Sequence, residues 1–183
     1  MRFATFTSQS RDGRLVVIST DGRRYLEVGD TAPNLLGAIE RWDALMPRLS
    51  ELADRLEQGE GNGFDPANCA APLPRSWQWL DGSAFSTHGE LMQVAFGLDP
   101  IEAEKPLMYQ GLSDRFYGPV DDVPFPGMEH GIDFEGEYGV IVDHVPMGTG
   151  AAEAMKHIKL IVQINDWSLR AIAPVEMKTG FGW

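Results

Sequence analysis

The sequence predicts an α+β fold weighted towards β structure, on three observations. Short apolar runs near the N-terminus are punctuated by Asp12-Gly13 and Asp21-Gly22; a helical period governs Asn34 to Gln58; and Val123–Val142 and Met155–Ile164 have the make-up of strands. Phe3 to Phe6, Leu15 to Ile18 and Tyr25 to Val28 are the runs that the Asp-Gly pairs separate. Both positions of such a pair tolerate positive φ, so residues 2–28 read as a small β-meander.

From Asn34 the period lengthens. Leu35, Ile39, Trp42, Leu45 or Met46, Leu49, Leu52 and Leu56 recur every three or four residues, the spacing of one helix face. Asn34 is placed to cap this helix and Gly59 to end it. Pro47 lies inside and is expected to kink or divide it, since an interior proline costs about 3 kcal/mol. Gly59 to Pro74 is rich in Gly, Asn and Pro and reads as a linker or inter-domain crossing. The chain accordingly divides into a small N-terminal domain, residues 1–70, and a second domain, 71–183.

Trp77, Trp79 and Phe85 flank Asp81-Gly82, and Thr87 to Gly97 reads as a short helix with Leu91, Met92, Ala95 and Phe96 inward. Asp99 to Pro126 is rich in Pro and Gly and is expected to be mostly irregular. Met155 to Leu160 fits a strand or the end of a helix begun near Gly150. There is no internal repeat and no low-complexity tract.

At 183 residues, 43% hydrophobic and 23% charged, the composition is that of a globular protein. A net charge of −12 disfavours nucleic acid as a partner, because phosphate binding needs clustered Lys and Arg. The same charge disfavours anionic membrane surfaces. Cys69 is alone, so no internal disulfide is possible, and no activating neighbour marks it as a nucleophile. The first residues lack the apolar core of a signal peptide. No run approaches the roughly 20 apolar residues that span a bilayer. A cytoplasmic location is the expectation.

The chemistry concentrates in Gly131-Ile-Asp-Phe-Glu-Gly-Glu-Tyr-Gly-Val-Ile-Val142, followed by Ile164-Asn-Asp-Trp-Ser-Leu-Arg170. In a strand, residues i and i+2 share a face about 6.6 Å apart, so Asp133, Glu135 and Glu137 crowd one side. Like charges so close raise one another's pKa or require a cation. Asp166 offers a further acid. An all-oxygen cluster suits Mg²⁺, Mn²⁺ or Ca²⁺ rather than zinc or copper. The plainer reading makes these acids the solvated face of an antiparallel sheet. The run Gly139 to Val142, apolar on both faces, argues for an interior strand, where carboxylates need partners.

Other features stay open at this level. Asn165-Asp166 equally fits a turn or cap, and Ser168 and Arg170 fit capping or pairing with acids. His88, His130, His144 and His157 are scattered without zinc spacing. Gly148-Thr-Gly150 is a turn, lacking the lysine and the strand-to-helix context of a phosphate loop.

Asp133-Phe-Glu-Gly-Glu137, followed about thirty residues later by Asn165-Asp-Trp-Ser-x-Arg170, resembles the fumarylacetoacetate hydrolase family. Asp81-Gly-Ser-Ala-Phe-Ser-Thr-His88 strengthens the match, since the family has a ligand aspartate with a histidine seven residues on. Pro106-Leu-Met-Tyr-Gln-Gly111 is similar to its substrate-facing segment. The resemblance covers about residues 70–183, and the opening seventy resemble the small N-terminal domain of one bacterial branch. It implies the first part of a mixed β-roll. It implies Asp81, Glu135, Glu137 and Asp166 as ligands of Mg²⁺ (or Mn²⁺ or Ca²⁺), with Asp133 as flanking support. His88 would be the general base and Tyr109 would lie near substrate oxygens.

The implied activity is divalent-metal-dependent hydrolysis of a C–C bond in an acylpyruvate or other β-dicarbonyl acid, as in aromatic catabolism. The same family includes decarboxylases, hydratases and isomerases of 2-oxo acids. A reading from another class is a non-catalytic metal-binding or interaction module. The expected partner is a small oxo acid, with a homodimer when the protein is complete. The family's fold adds strands, a substrate-assisting lysine and an acid that orients the histidine, none of which follows here. The chain is therefore expected to be the inactive N-terminal part of a longer protein. Ala173 replaces the polar, substrate-contacting side chain of fumarylacetoacetate-cleaving members, which argues against that compound as substrate.

Overall fold

The computed structural model describes residues 1–97, 99 and 105–180. The side chain of Phe96, part of the 99–126 stretch and the final Phe181-Gly-Trp183 lie outside the described residues. Helices and strands are mixed, with small antiparallel sheets, as the α+β reading expects. The chain divides into two compact units. One comprises Met1–Ser76, Asp114–Val123 and Glu137–Ile164; the other comprises Trp77–Ser113, Pro124–Gly136 and the stretch from Asn165 onward.

In the first unit β1 (Arg2–Phe6), β2 (Arg14–Ile18), β3 (Arg24–Glu27) and β4 (Asn62–Gly63) form an antiparallel sheet in that order. Strand β2 is central and buried on both faces, and its alternation divides the core. Leu15 and Val17 join Val28, Leu35, Ala38, Ile39, Leu45, Leu49, Leu52 and Leu56, whereas Val16 and Ile18 face Phe6 and Cys69. A fully buried side chain of this kind stabilises by about 1.5–3 kcal/mol.

The predicted long helix is two. Helix α1 (Leu35–Ile39) is capped by Asn34, whose Oδ1 accepts from the Gly37 amide at 2.8 Å. Helix α2 (Trp42–Glu57) contains Pro47 without dividing there. The break falls at Glu40-Arg41, where the Arg41 amide turns to the Ala38 carbonyl at 3.2 Å. The buried seam of Leu45, Leu49, Leu52 and Leu56 grips α2 on both sides of Pro47 and offsets the lost backbone bond. Gly59 ends the helix at φ +99°.

The segment expected as a linker is bound to this unit. Asn62 and Gly63 pair with Tyr25 and Arg24. The Thr7 amide donates to Asn68 O and the Ala70 amide to Thr5 O, both at 2.9 Å. These bonds bury Cys69 and Ala71.

In the second unit β5 (Trp79–Ser83) pairs antiparallel with β6 (Leu107–Gly111), and α3 (Ser86–Phe96) follows β5. Leu91 and Ala95, expected inward on α3, are exposed, and Met92 is half-buried. Strands β7 (Ile132–Val142) and β8 (Ile158–Leu169) form a two-stranded sheet, with α4 (Ala151–Ala154) and a 3-10 turn between them in the chain. β7 is thus shorter than predicted, and Met155 to Leu160 divides between that turn and β8. Helix α5 (Ala173–Thr179) closes the described chain. The apolar end of β7 is covered on one face: Ile141 packs against the first unit's core, whereas Tyr138, Val140 and Val142 remain exposed. Among the described residues no helix is long and apolar enough to cross a membrane.

Candidate metal centre

The β5–β6 ladder sets Asp81 directly across from Tyr109. Trp79, two residues before Asp81, packs edge-on to the Tyr109 ring with centroids 5.7 Å apart. Its indole lies across Gly111, where a Cβ would come within 2.3 Å of the ring. A side chain at 111 would displace Trp79 and loosen the support of Tyr109. After β5 the chain turns into α3, whose first turn carries His88. His88 Nε2 lies 3.4 Å from Glu135 Oε2.

Period-two geometry on β7 sets Asp133, Glu135 and Glu137 on one face. Phe134 lies on the opposite face, where its ring and that of Phe125 pack against Trp167 of β8, with centroids 5.6 and 5.3 Å away. Asp166 and Ser168 are half-buried on β8, where Trp167 between them is exposed, and Arg170 follows the strand. The Arg170 amide donates to Gly131 O at 2.8 Å, which ties it to the start of β7.

Arg170 is the cation among these acids. Its Nη2 donates to Glu135 Oε1 at 2.6 Å and its Nε to Asp133 Oδ2 at 3.1 Å. Ser168 Oγ reaches the same Glu135 oxygen at 3.4 Å. Asp133 is held below the usual aspartate range by its hydrogen bond from Arg170, aided by the Phe134 amide. Asp166 shifts the other way. Burial pushes it up first, the charges of Asp81 and Glu135 push it further, and Arg170 and a hydrogen bond from the Tyr109 hydroxyl oppose the rise.

One carboxylate oxygen each from Asp81, Glu137 and Asp166 lies within 4.8 Å of the others. Hard divalent cations sit about 2.0–2.6 Å from their oxygens, so oxygens sharing one ion are at most about 5 Å apart. The acidic triad therefore fits such an ion in spacing and in chemistry. Glu135 stands beside it, engaged by Arg170 and facing His88. Sequence reasoning singled out these acids and the pairing potential of Arg170. It missed the Tyr109–Asp166 hydrogen bond and the Trp79 buttress. Both depend on β5 pairing with β6 across the intervening stretch, for which no local pattern exists.

Two family models match the chain. Fumarylacetoacetase N-terminal domain 2 matches residues 1–75, and fumarylacetoacetate (FAA) hydrolase C-terminal matches residues 78–183. No curated protein matches it.

Proposed function

The chain belongs to the fumarylacetoacetate hydrolase family, and from that premise we propose a divalent-metal-dependent hydrolase that cleaves a C–C bond in an acylpyruvate or related β-dicarbonyl acid. The observation that carries the reading is the acidic triad of Asp81, Glu137 and Asp166, beside a histidine in contact with a fourth acid, Glu135. Asp81, Glu135, Glu137 and Asp166 are assigned to hold Mg²⁺, Mn²⁺ or Ca²⁺. When bound, the ion would polarise the substrate's two oxygens and stabilise the enolate that leaves.

His88 is assigned as the base that takes a proton from the attacking water. Imidazole is the side chain best suited to taking up and giving back a proton at neutral pH, where carboxylates are poor bases. Tyr109, hydrogen-bonded to Asp166, is assigned to orient substrate oxygens at the edge of the acid cluster. Ala173, the first residue of α5, has only a methyl group where fumarylacetoacetate-cleaving members of the family carry a polar side chain, which favours a substrate other than fumarylacetoacetate.

The test is an assay of the full-length protein with added Mg²⁺ or Mn²⁺ against acylpyruvates and oxaloacetate. Release of pyruvate from acylpyruvates, lost in His88→Ala while metal binding persists, is the expected result. Decarboxylation of oxaloacetate without acylpyruvate cleavage would move the protein to the decarboxylase reading. If metal binds but His88→Ala retains full turnover, the histidine is excluded as the base.

A further inference from the structure

We propose that Asp133 is a positioning residue for the metal centre, acting through Arg170 on Glu135; this rests on the assignment of Glu135 as a ligand. Asp133 and Glu135 are two residues apart on one face of β7, and a single guanidinium spans them. The Nε and Nη2 hydrogens lie along one edge of that guanidinium, the edge that commonly grips both oxygens of one carboxylate. Here the edge is split. Nε donates to Asp133 Oδ2 at 3.1 Å and Nη2 donates to Glu135 Oε1 at 2.6 Å. Nη1 meets Met92 Sδ at 3.4 Å, so all three nitrogens are directed.

The division decides what Glu135 has left to offer. With Nε committed to Asp133, Arg170 takes one Glu135 oxygen, and the other, Oε2, faces His88 at 3.4 Å. Without Asp133, Nε is released and the whole edge can swing onto Glu135. A side-on grip on both oxygens would then compete with any cation for the same carboxylate. Asp133 thus keeps Arg170 to one bond and keeps Oε2 available. Its own side chain is 55% exposed, against 24% for Arg170 and 19% for Glu135. An ion pair that exposed adds little to stability, so removing it should be felt at Glu135 rather than in folding. Partners of metal ligands act in this way, and their loss typically weakens metal binding 10- to 100-fold.

The experiment is a double-mutant cycle on Mn²⁺ affinity, measured by calorimetry on the full chain, with melting curves recorded for every variant. Asp133→Ala, which leaves Nε no acceptor at position 133, is expected to weaken Mn²⁺ binding about tenfold in the wild-type background, with an unchanged melting temperature. In Arg170→Gln the same substitution is expected to change affinity less than about twofold, because no guanidinium remains to swing. If Arg170→Gln does not fold, Arg170→Lys, which keeps the charge without the forked edge, takes its place with the same expectation. Equal losses in both backgrounds would mean that Asp133 acts only through its charge, and no loss in either would mean that it does not act; each overturns the positioning role. If the folded wild type binds no Mn²⁺, it is the metal-centre reading that fails, and that outcome is separable from the other two.

Discussion

The first unit and the second differ in what they bury. Every fully buried side chain among the described residues lies between Thr5 and Ala71, in the first unit, where β2 is enclosed on both faces and the leucine seam of α2 covers one of them. In the second unit the described apolar residues are half-buried or exposed. Trp77, Phe85 and Val94 are more than three-quarters exposed, whereas the acids Asp81, Glu135 and Asp166 are only half-exposed. The first unit is thus organised by hydrophobic burial and the second around carboxylates and one arginine. Folding stability and chemistry are carried by different residues, and a substitution should register in one or the other according to whether it removes a buried apolar side chain or one of the acids.

The largest expected effect is in the first unit. Leu49→Ala should lose about 2–5 kcal/mol in urea or thermal unfolding, because Leu49 is fully buried and truncation leaves a cavity. Leu91→Ala, on the exposed side of α3, should lose less than about 0.5 kcal/mol. Comparable losses would erase the contrast. Next comes Asp166→Asn. Mn²⁺ at 100 times its dissociation constant should stabilise the wild type by about 2.7 kcal/mol and leave this variant unaffected in a thermal melt. Stabilisation of both by the ion would detach Asp166 from the centre. A smaller effect belongs to Asn34→Ala, which removes the cap of α1 and should cost about 1 kcal/mol with no change in metal affinity.

What was legible in the sequence follows the same division. The meander, the cap at Asn34, the stop at Gly59 and the leucine seam are written in local periods, and the structure has each of them. Pro47 does not divide the helix, because its cost is local while the seam that offsets it is tertiary. The pairing of Asn62-Gly63 with β3 was hidden because two residues have no period. At the candidate site the alternation of Asp133, Glu135 and Glu137 predicts a shared face without further information. Whether a given acid meets a cation or an arginine is not a matter of spacing. Glu135 and Glu137 are equivalent by period, yet Arg170, 35 residues after Glu135, reaches Glu135. Tyr109 meets Asp81 and Asp166 only because β6 returns beside β5.

The smallest effect, and the one that tests the contrast electrostatically, is on pH dependence. Asp12 in the first unit is hydrogen-bonded to Arg75 at 2.6 and 3.0 Å, which holds its pKa below the usual aspartate range. Asp166 is pushed above that range, first by burial and then by neighbouring acids. The two should therefore contribute to stability with opposite pH dependence. The contribution of Asp12 is present above the unfolded value of about 3.9 and is lost as pH falls through its lowered pKa. For Asp166 the contribution is full below that unfolded value and is lost as pH rises through its raised pKa. Unfolding free energies measured from pH 3 to 7 with a chelator present should show this against Asp12→Asn and Asp166→Asn. The wild type's advantage over Asp12→Asn should grow with pH, and its advantage over Asp166→Asn should shrink. Metal should reverse the second trend, because an ion held by Asp166 favours the ionised carboxylate. Parallel slopes without metal would mean that the two acids sit in equivalent surroundings, and the electrostatic half of the comparison would fall.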